Sequence, residues 1–346
     1  MTKKKKIIRA VVTFIVLILV VLIAAGGYFA YRFNRNTLKS DMDYDNVFAQ
    51  PSVTLQVPED GYFDILKIND MHLFNGTNEN DARTLNGIKT VLDSEKYDLI
   101  IADGDIVDGF NLASDYDKEN AFSSFCVLVD SYDTPWTFAP GNNDCEIDGD
   151  NEDIVAYMMQ YSNFICGNVQ DVDGAVQFMI DLEYNGSLVH SIAVMDSNSR
   201  TVTAVGDYDS IHQSQIEWLS AQVEQRQCFT SVFFHMPTPA FKTAYDNGTD
   251  YEGILKSDEY PLDDIKDNSL FDNAFADNQY ISLISCAHVH SDNMCSFYNG
   301  RYYQLSSRSG YSASGNDEIP VSCTVTRINV KDTDPQTMYS FEQIAY

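Results

Sequence analysis

Basic residues are scarce after the first 35 positions of this sequence, and no acidic residue occurs before Asp41. The chain has 346 residues, of which 22 are Lys or Arg and 51 are Asp or Glu. Seven of the basic residues lie at or before Arg35, so the remainder has 15 basic side chains against 51 acidic ones, a net charge of −36. Such a surface repels nucleic-acid backbones and anionic lipid headgroups. We therefore expect no nucleic-acid partner, and the charge divides the chain into two parts.

Cysteine pairs at the spacing of metal or redox sites are missing as well. The seven cysteines contain no Cys-x-x-Cys pair, which argues against a zinc ribbon or a thioredoxin-type motif. We expect most of them to be small buried hydrophobic residues. One disulfide is an open alternative in an oxidising compartment, and the sequence does not select its cysteines. Internal repeats and low-complexity tracts are also missing, while 44% hydrophobic residues suffice for one large domain or two small ones.

An apolar run without charge occupies residues 10–31 and is long enough to cross a bilayer, which takes roughly 20 residues. Four lysines at positions 3–6 and Arg9 precede it, and such basic residues stay on the cytoplasmic side of the membrane. Cleavage near the small residues 24–27 is an alternative to a retained anchor. We predict four consecutive segments: a cytoplasmic basic segment (1–9), a single-pass transmembrane signal anchor (10–31), a polar linker or stalk (32–58) and one extracytoplasmic domain (59–346).

Short apolar runs alternate with segments of helical periodicity from Tyr62 onward. This alternation predicts an α/β fold, with more antiparallel strands toward the C-terminus. Asn299-Gly300 is a typical hairpin turn between two of the later strands. We expect strands near residues 63–68, 99–102, 136–139, 176–182, 189–195, 231–234 and 280–286, and helices near residues 81–94, 121–129, 153–161 and 212–226.

One stretch, residues 98–109, begins as a buried strand and ends in three carboxylates, those of Asp103, Asp105 and Asp108. The carboxyl end of a strand is the usual place for a site in an α/β sheet. Like charges this close repel, so the cluster requires a cation or bound protons. Taken alone, the stretch is equally consistent with an acidic surface turn.

Four further predicted strands also end in polar residues. In Asp-x-His and His-x-His the paired side chains fall on the same side of an extended chain and reach one site together. Carboxylate, amide and imidazole ligands suit Mn, Fe and Zn. The sequence therefore indicates a metal site built from residues that follow five strands: Asp70, His72, Asp105, Asn142, His235, His288 and His290.

The order of these blocks resembles the calcineurin-like metallophosphoesterase superfamily. The blocks read Asp-x-His, Gly-Asp-x-x-Asp, Gly-Asn-x-Asp, His and His-x-His, and they cover about residues 64–327. Residues 215–219 and 233–237 are most similar to its purple-acid-phosphatase-related branch. The resemblance implies two mixed β-sheets, packed as a sandwich and flanked by helices. It also implies a hydrolase of phosphate mono- or diesters, in which a metal-bound hydroxide attacks phosphorus.

The resemblance further implies two metal ions and a role for each residue. The first ion would be held by Asp70, His72 and His290, and the second by Asn142, His235 and His288, with Asp105 as the bridge. Asp108 would orient His72, and Asp144 would support the loop of Asn142. Arg308 and Tyr311, in the loop 306–315, are candidate substrate contacts, with a solvated loop as the alternative. We expect His190 and His212 to be ordinary core or surface residues.

One departure from the usual pattern of the family concerns catalysis. The family commonly has Gly-Asn-His, and its histidine contacts phosphate and protonates the leaving group, whereas this chain has Asn143 there. Asparagine donates hydrogen bonds but does not titrate. We therefore list Asn143, Asp108 and Asp144 as the catalytic candidates. The alternative is a metal-binding protein of this fold with little or no turnover.

Overall fold

The computed structural model describes residues 3–38, 40–144, 151–199, 208–257 and 269–346. Within these ranges the strands are β1 (Ser52–Gln56), β2 (Tyr62–Ile68), β3 (Leu99–Asp103), β4 (Trp136–Ala139), β5 (Gln177–Tyr184), β6 (Ser187–Met195), β7 (Thr230–Phe233), β8 (Thr249–Asp250), β9 (Ile281–Cys286), β10 (Met294–Tyr298), β11 (Arg301–Leu305), β12 (Ser322–Asn329) and β13 (Tyr339–Ala345).

The helices of the same ranges include one of 32 residues and several short ones. A 3-10 helix, Tyr44–Ala49, precedes β1. The α-helices are α1 (Lys3–Asn34), α2 (Glu79–Ser94), α3 (Lys118–Asp130), α4 (Asn151–Met158), α5 (Gln213–Arg226), α6 (Ala240–Asn247), α7 (Leu270–Phe275) and α8 (Pro335–Met338).

The strands form two mixed sheets, as the resemblance implies. One sheet has the order β1-β5-β6-β7-β9-β11-β10-β8, and the other has the order β13-β12-β2-β3-β4. Neighbours are parallel from β6 to β11 and from β2 to β4. The pairs β10-β11 and β12-β13 are antiparallel, in agreement with the expected antiparallel C-terminal part.

The two sheets pack face to face around a shared core. Ile65 and Ile100 of the five-stranded sheet belong to the same buried cluster as Ile180 of the eight-stranded sheet. The hydroxyl of Tyr339, on β13, lies 2.9 Å from Ser231 Oγ and 2.6 Å from Ser282 Oγ of the opposite sheet. Strands covered on both faces are continuously apolar rather than alternating, which explains the Leu-Ile-Ile-Ala run of β3.

Helices cover the outer face of the eight-stranded sheet. Trp218 and Leu219 of α5 form a second buried cluster with Val232 of β7 and Ile284 of β9. The fold is therefore a sandwich of two mixed sheets flanked by helices, and this prediction is confirmed.

Helix α1 contains the whole predicted anchor. It is the only helix within the described ranges that is long and apolar enough to cross a membrane. Its apolar side chains are exposed along its length, and Ile23 reaches 73% exposure. An apolar surface of this extent is typical of a helix that contacts a membrane or another protein.

The structure differs from the expected polar linker in residues 32–58. Within this segment β1 pairs in parallel with β5 at the edge of the larger sheet. Leu38 and Val47 are buried in the shared core. The side chain of Asn36 is also buried. The few apolar residues of this segment show no helix or strand periodicity. Their burial depends on partners that are distant in sequence, so the local pattern did not predict it.

The cysteines agree with their expected role as buried hydrophobic residues. All six described cysteines are free thiols, and all except Cys228 are buried. Cys145 lies outside the described residues, so the structure makes no statement about it.

Candidate metal centre

The candidate ligands follow the carboxyl ends of strands from both sheets. Strands β2, β3 and β4 lead into Asp70, Asp105 and Asn142, while β7 and β9 lead into His235 and His288. These five ends meet at one edge of the sandwich. His72 and His290 follow two residues after their partners, as the Asp-x-His and His-x-His spacing predicts.

Left-handed backbone turns the chain sharply at several of these ends. The φ angles are +47° at Asp70, +47° at His72, +51° at Asp105 and +73° at His288. Such conformations are unfavourable for residues other than glycine and persist where surrounding structure enforces them, often at functional sites. Four of the ten non-glycine residues with positive φ in the described ranges are candidate ligands, so this backbone conformation is concentrated at the site.

Gly104 and Gly141 allow two of these turns to touch. A Cβ atom at Gly141 would lie 2.2 Å from the backbone nitrogen of Asp105. A Cβ atom at Gly104 would lie 2.5 Å from Nδ1 of His235. Only glycine permits this approach, which explains the Gly in both the Gly-Asp and the Gly-Asn blocks.

Four candidate ligands form the first cluster: Asp70, His72, Asp105 and His290. Their ligand atoms all lie within 4.8 Å of one another. The Nε2 atoms of His72 and His290 are 3.0 Å apart, and Nε2 of His290 is 3.1 Å from Oδ1 of Asp70. This convergence of two imidazoles and two carboxylates is a coordination set suited to one ion.

Asp105 also belongs to a second cluster, with His235 and His288. Nε2 of His235 is 3.4 Å from Oδ2 of Asp105, and the two imidazole rings have centroids 5.4 Å apart. One carboxylate shared by two ligand clusters is the geometry that a bridged pair of ions requires.

Unsatisfied buried atoms test whether these residues fit metal ions. Nε2 of His235 and Oδ1 of Asn142 are both buried, and neither has a hydrogen-bond partner among the described residues. A buried acceptor without a partner is costly, and a bound cation would satisfy it. The donor set and these two atoms therefore fit the dinuclear centre that the family implies.

Hydrogen bonds on the far side of the ligands set their orientation. Nδ1 of His235 lies 2.7 Å from the carbonyl oxygen of Asp103, which directs Nε2 toward the cluster. Oδ2 of Asp70 accepts from the amide of Asn69 at 2.8 Å and from the backbone N–H of His288 at 3.0 Å. These partners explain how two sheets hold one ligand set in register.

Asp108 and Asp144 support the ligands in different ways. Oδ1 of Asp108 lies 3.8 Å from Nδ1 of His72, on the side of the ring away from His290. The Asp144 carboxylate accepts from the backbone N–H groups of Asp105 and Ile106, each at 2.8 Å. Asp144 therefore ties the loop of Asn142 to the loop of Asp105. It contacts backbone rather than any candidate ligand side chain.

Electrostatics couple the cluster tightly. Burial alone lowers the pKa of His235, but the carboxylates of Asp105 and Asp70 raise this pKa to about 10. Burial, together with the charge of His235, lowers the pKa of His288 to about 4. Burial raises the pKa of Asp105, but the neighbouring imidazoles of His235 and His72 outweigh burial and hold it well below its usual range.

Asn143 contacts the shared carboxylate. Its backbone N–H donates to Oδ1 of Asp105 at 2.8 Å, and its side-chain amide donates to Oδ2 at 2.6 Å. The residue that replaces the usual histidine therefore lies at the junction of the two clusters.

Arg308 and Tyr311 contact protein groups around the site. The Arg308 guanidinium donates to the carbonyl oxygens of His290 and Asn316. The hydroxyl of Tyr311 donates to the carbonyl oxygen of Tyr346. Arg308 therefore lies beside a ligand, whereas Tyr311 is held at the C-terminus, and substrate contact remains a prediction for both.

The remaining two histidines lie apart from the clusters. His190 is fully buried, with Nε2 2.9 Å from Ser231 Oγ. His212 begins α5 and lies 3.1 Å from Asp209. Their placement agrees with the expected core and surface roles.

Two features near the clusters were not predicted from the sequence. The ring of Tyr208 packs edge-on against His288, with centroids 4.9 Å apart, and no local pattern marks it. Lys67 and Asp103 form a fully buried ion pair at 3.5 Å beneath the site. A lysine within the apolar run of β2 was the available signal for this pair.

Comparisons with known proteins agree with this geometry. The Calcineurin-like phosphoesterase family matches residues 63–292. The Arabidopsis thaliana protein named "Probable inactive purple acid phosphatase 14" is 24% identical over 303 residues, which are 75% of this chain and 74% of that protein. A dimetal phosphatase from Danio rerio superposes with a TM-score of 0.53 at 12% identity, over 82% of this chain and 99% of that one.

The family match spans about two thirds of the chain and includes all five strand ends that carry the candidate ligands. The similarity to a purple acid phosphatase supports the expected branch. The superposition shows a shared fold. The chain is thus a member of the calcineurin-like phosphoesterase family.

Proposed function

We propose that this chain is a dinuclear-metal-dependent phosphoesterase that hydrolyses phosphate mono- or diesters on the extracytoplasmic face of a membrane. One observation carries the proposal: two clusters of ligand-type side chains share the carboxylate of Asp105. The first cluster would hold one ion through Asp70, His72 and His290. His235, His288 and Asn142 would hold the other.

Ions of the Mn, Fe or Zn type would, when bound, neutralise phosphoryl charge and supply a nucleophile at neutral pH. The chain's own residues keep the ligands in place before substrate arrives. His235 directs Nε2 toward the cluster because its Nδ1 lies 2.7 Å from a carbonyl oxygen, and a bound ion would take the place of any proton on Nε2. Asp144 holds two ligand loops together through backbone N–H groups. Such preorganisation supplies a large part of catalysis in many enzymes.

Asn143 would be the group closest to the reacting phosphate after the ligands themselves. Its amide is beside the shared carboxylate, where an N–H group is available to a phosphoryl oxygen. Arg308, next to His290, is the proposed cationic substrate contact, and Tyr311 is the weaker candidate because its hydroxyl is engaged with Tyr346. These roles follow from placement around the centre.

The proposed location follows from α1. Its apolar surface would lie in the bilayer as a single-pass anchor, with residues 1–9 in the cytoplasm and the catalytic domain outside. The part of the chain after Arg35, with its net charge of −36, would approach the membrane through this anchor and not through basic patches.

A second candidate function is a metal-binding protein of the same fold with little turnover. Asn143 supports it, because asparagine cannot protonate a leaving group. The printed name of the Arabidopsis thaliana relative, which calls that protein probably inactive, also favours it. Both candidates require the same ligands and differ only in catalysis.

Hydrolysis of aryl phosphate mono- and diesters by the full-length protein in detergent, with Mn²⁺ added, separates the two candidates. We expect turnover that a chelator removes and that fresh Mn²⁺ restores. Asp105→Ala is the matched control, because it removes the shared carboxylate. A protein that binds two ions but hydrolyses neither ester class faster than Asp105→Ala supports the binding function instead.

A further inference from the structure

The last turn of α1 and the two residues after it contact a loop of the candidate metal centre. We call residues 32–36 the brace and residues 109–117 the site loop. The Arg32 guanidinium, which is fully buried, donates to three carbonyl oxygens of the site loop, those of Asn111, Ser114 and Tyr116, at 3.2, 3.5 and 3.3 Å. The end of α1 is therefore attached to the domain at this loop.

Asn36 and Asn111 form a reciprocal pair at the centre of this contact. The Asn36 amide donates to the carbonyl oxygen of Asn111 at 3.1 Å, and Oδ1 of Asn36 accepts from the backbone N–H of Asn111 at 3.0 Å. Asn36 is 2% exposed, and its amide also donates to the carbonyl oxygen of Arg32. Its donor and acceptor thus fix the backbone of one residue in the site loop.

Asn111 continues this chain of contacts toward a candidate metal ligand. Its side-chain amide donates to Oδ2 of Asp108 at 3.0 Å. The other oxygen of that carboxylate lies 3.8 Å from Nδ1 of His72. The contacts therefore run from the brace through Asn111 and Asp108 to one ligand of the first cluster.

We propose that Asn36 and Asn111 are positioning residues for the first metal ion, because they hold the Asp108 carboxylate that orients His72. The proposal rests on the two-ion centre proposed above. In this proposal the brace supports a ligand of the metal site and is more than a spacer between the anchor and the domain.

Among the described residues of the site loop, Asn111 is the side-chain donor to this carboxylate. Leu112, Ser114 and Asp115 are exposed. The hydroxyl of Tyr116 donates to the backbone oxygen of Asp108 at 2.6 Å, so it fixes the main chain but not the carboxylate. Asn111 therefore helps to set the direction of this carboxylate, and Asn36 together with Arg32 holds the backbone of Asn111. Partners behind a ligating histidine fix its ring orientation and raise its basicity.

Metal affinity tests this proposal without a measurement of turnover. Full-length protein in detergent is stripped by a chelator and titrated with Mn²⁺, first as wild type and then as Asn36→Ala and Asn111→Ala. We expect one of the two binding steps to weaken by about tenfold, the low end for partners behind a metal ligand. The other step keeps its affinity. Asn36→Asp, which retains the acceptor for Asn111, is the milder variant if Asn36→Ala does not fold.

Ser40→Ala is the matched control. Ser40 lies in the same segment after the anchor, but its hydroxyl donates to the carbonyl oxygen of Ala156, away from the site loop. We expect both Mn²⁺ binding steps to be unchanged in this variant. Equal loss of affinity in Ser40→Ala and Asn36→Ala would mean a general destabilisation and would overturn the proposal.

A double-mutant cycle shows whether Asn111 acts through Asp108. We expect Asp108→Ala with Asn111→Ala to bind Mn²⁺ as Asp108→Ala alone does, because the group that Asn111 positions is already gone. Additive losses contradict the proposal. A wild type that binds fewer than two ions contradicts the proposed function, whereas two ions with unchanged affinities in both Asn variants contradict only this inference.

Discussion

The side-chain amide of Asn143 lies 2.6 Å from Oδ2 of Asp105, on the one carboxylate that both ligand clusters share. This contact places a neutral, non-titrating donor where the family commonly has a histidine. We expect the nature of this donor to influence which leaving groups the centre expels.

Asn143→His should raise hydrolysis of alkyl phosphoesters more than that of aryl phosphoesters. A positioned general acid contributes about 100- to 10,000-fold to rate, and alkyl alcohols need protonation more than phenols do. We expect a gain of up to about 100-fold on the alkyl ester and little gain on the aryl ester. The measurement is kcat/KM for both esters on both proteins.

Asn143→Gln is the control for this prediction, because glutamine keeps the amide and does not titrate. It should leave the alkyl-to-aryl rate ratio as in wild type. A wild type that already hydrolyses both esters equally well would show that Asn143 is not the missing acid.

Asp105→Ala should remove both metal ions, because its carboxylate belongs to both clusters. His290→Ala should weaken mainly the binding of the ion in the first cluster. His290 belongs to that cluster only, whereas Asp105 belongs to both. Elemental analysis of metal-supplemented, desalted protein measures both effects. At most one ion in the intact wild type would exclude a dinuclear centre.

His190 should make the domain sensitive to acid. Burial lowers its pKa to about 3, whereas an unfolded histidine titrates near 6.5. Between these values the unfolded chain binds more protons than the folded one, so stability falls as pH falls. For this one group the loss from pH 7 to pH 5 is about 2 kcal/mol.

His190→Gln should therefore reduce the change in unfolding free energy between pH 7 and pH 5. Urea unfolding of metal-free protein in detergent at both pH values measures it. His212→Gln is the control, since His212 is partly exposed at the start of α5. A pH dependence identical in wild type and His190→Gln would contradict the prediction.

Protease added to intact cells should remove the domain that follows α1. The prediction follows from the basic residues before the apolar run and from the lack of acidic residues before Asp41. A tag at the N-terminus should stay protected until the cells are lysed. Digestion of the tag in intact cells, with protection of the domain, would reverse the proposed topology.

Local pattern alone located most of the strands and the candidate ligands. Apolar runs such as that of β3 are buried on both faces, and carboxylates or histidines follow their ends. The Asp-x-His and His-x-His motifs each span only three residues, so they can be recognised without information about tertiary contacts. For the same reason the turn at Asn299-Gly300 was recognisable as the hairpin between β10 and β11.

Contacts between residues that are distant in sequence were not predictable from the local pattern. Residues 32–58 resemble a linker, because the partners that bury Asn36 and pair with β1 lie 75 or more positions away. The pairing of Asn143 with Asp105 has the same cause. Residue types and short spacings determined the fold class and the metal-type chemistry. Only tertiary packing decided that the end of α1 would meet the loop behind His72.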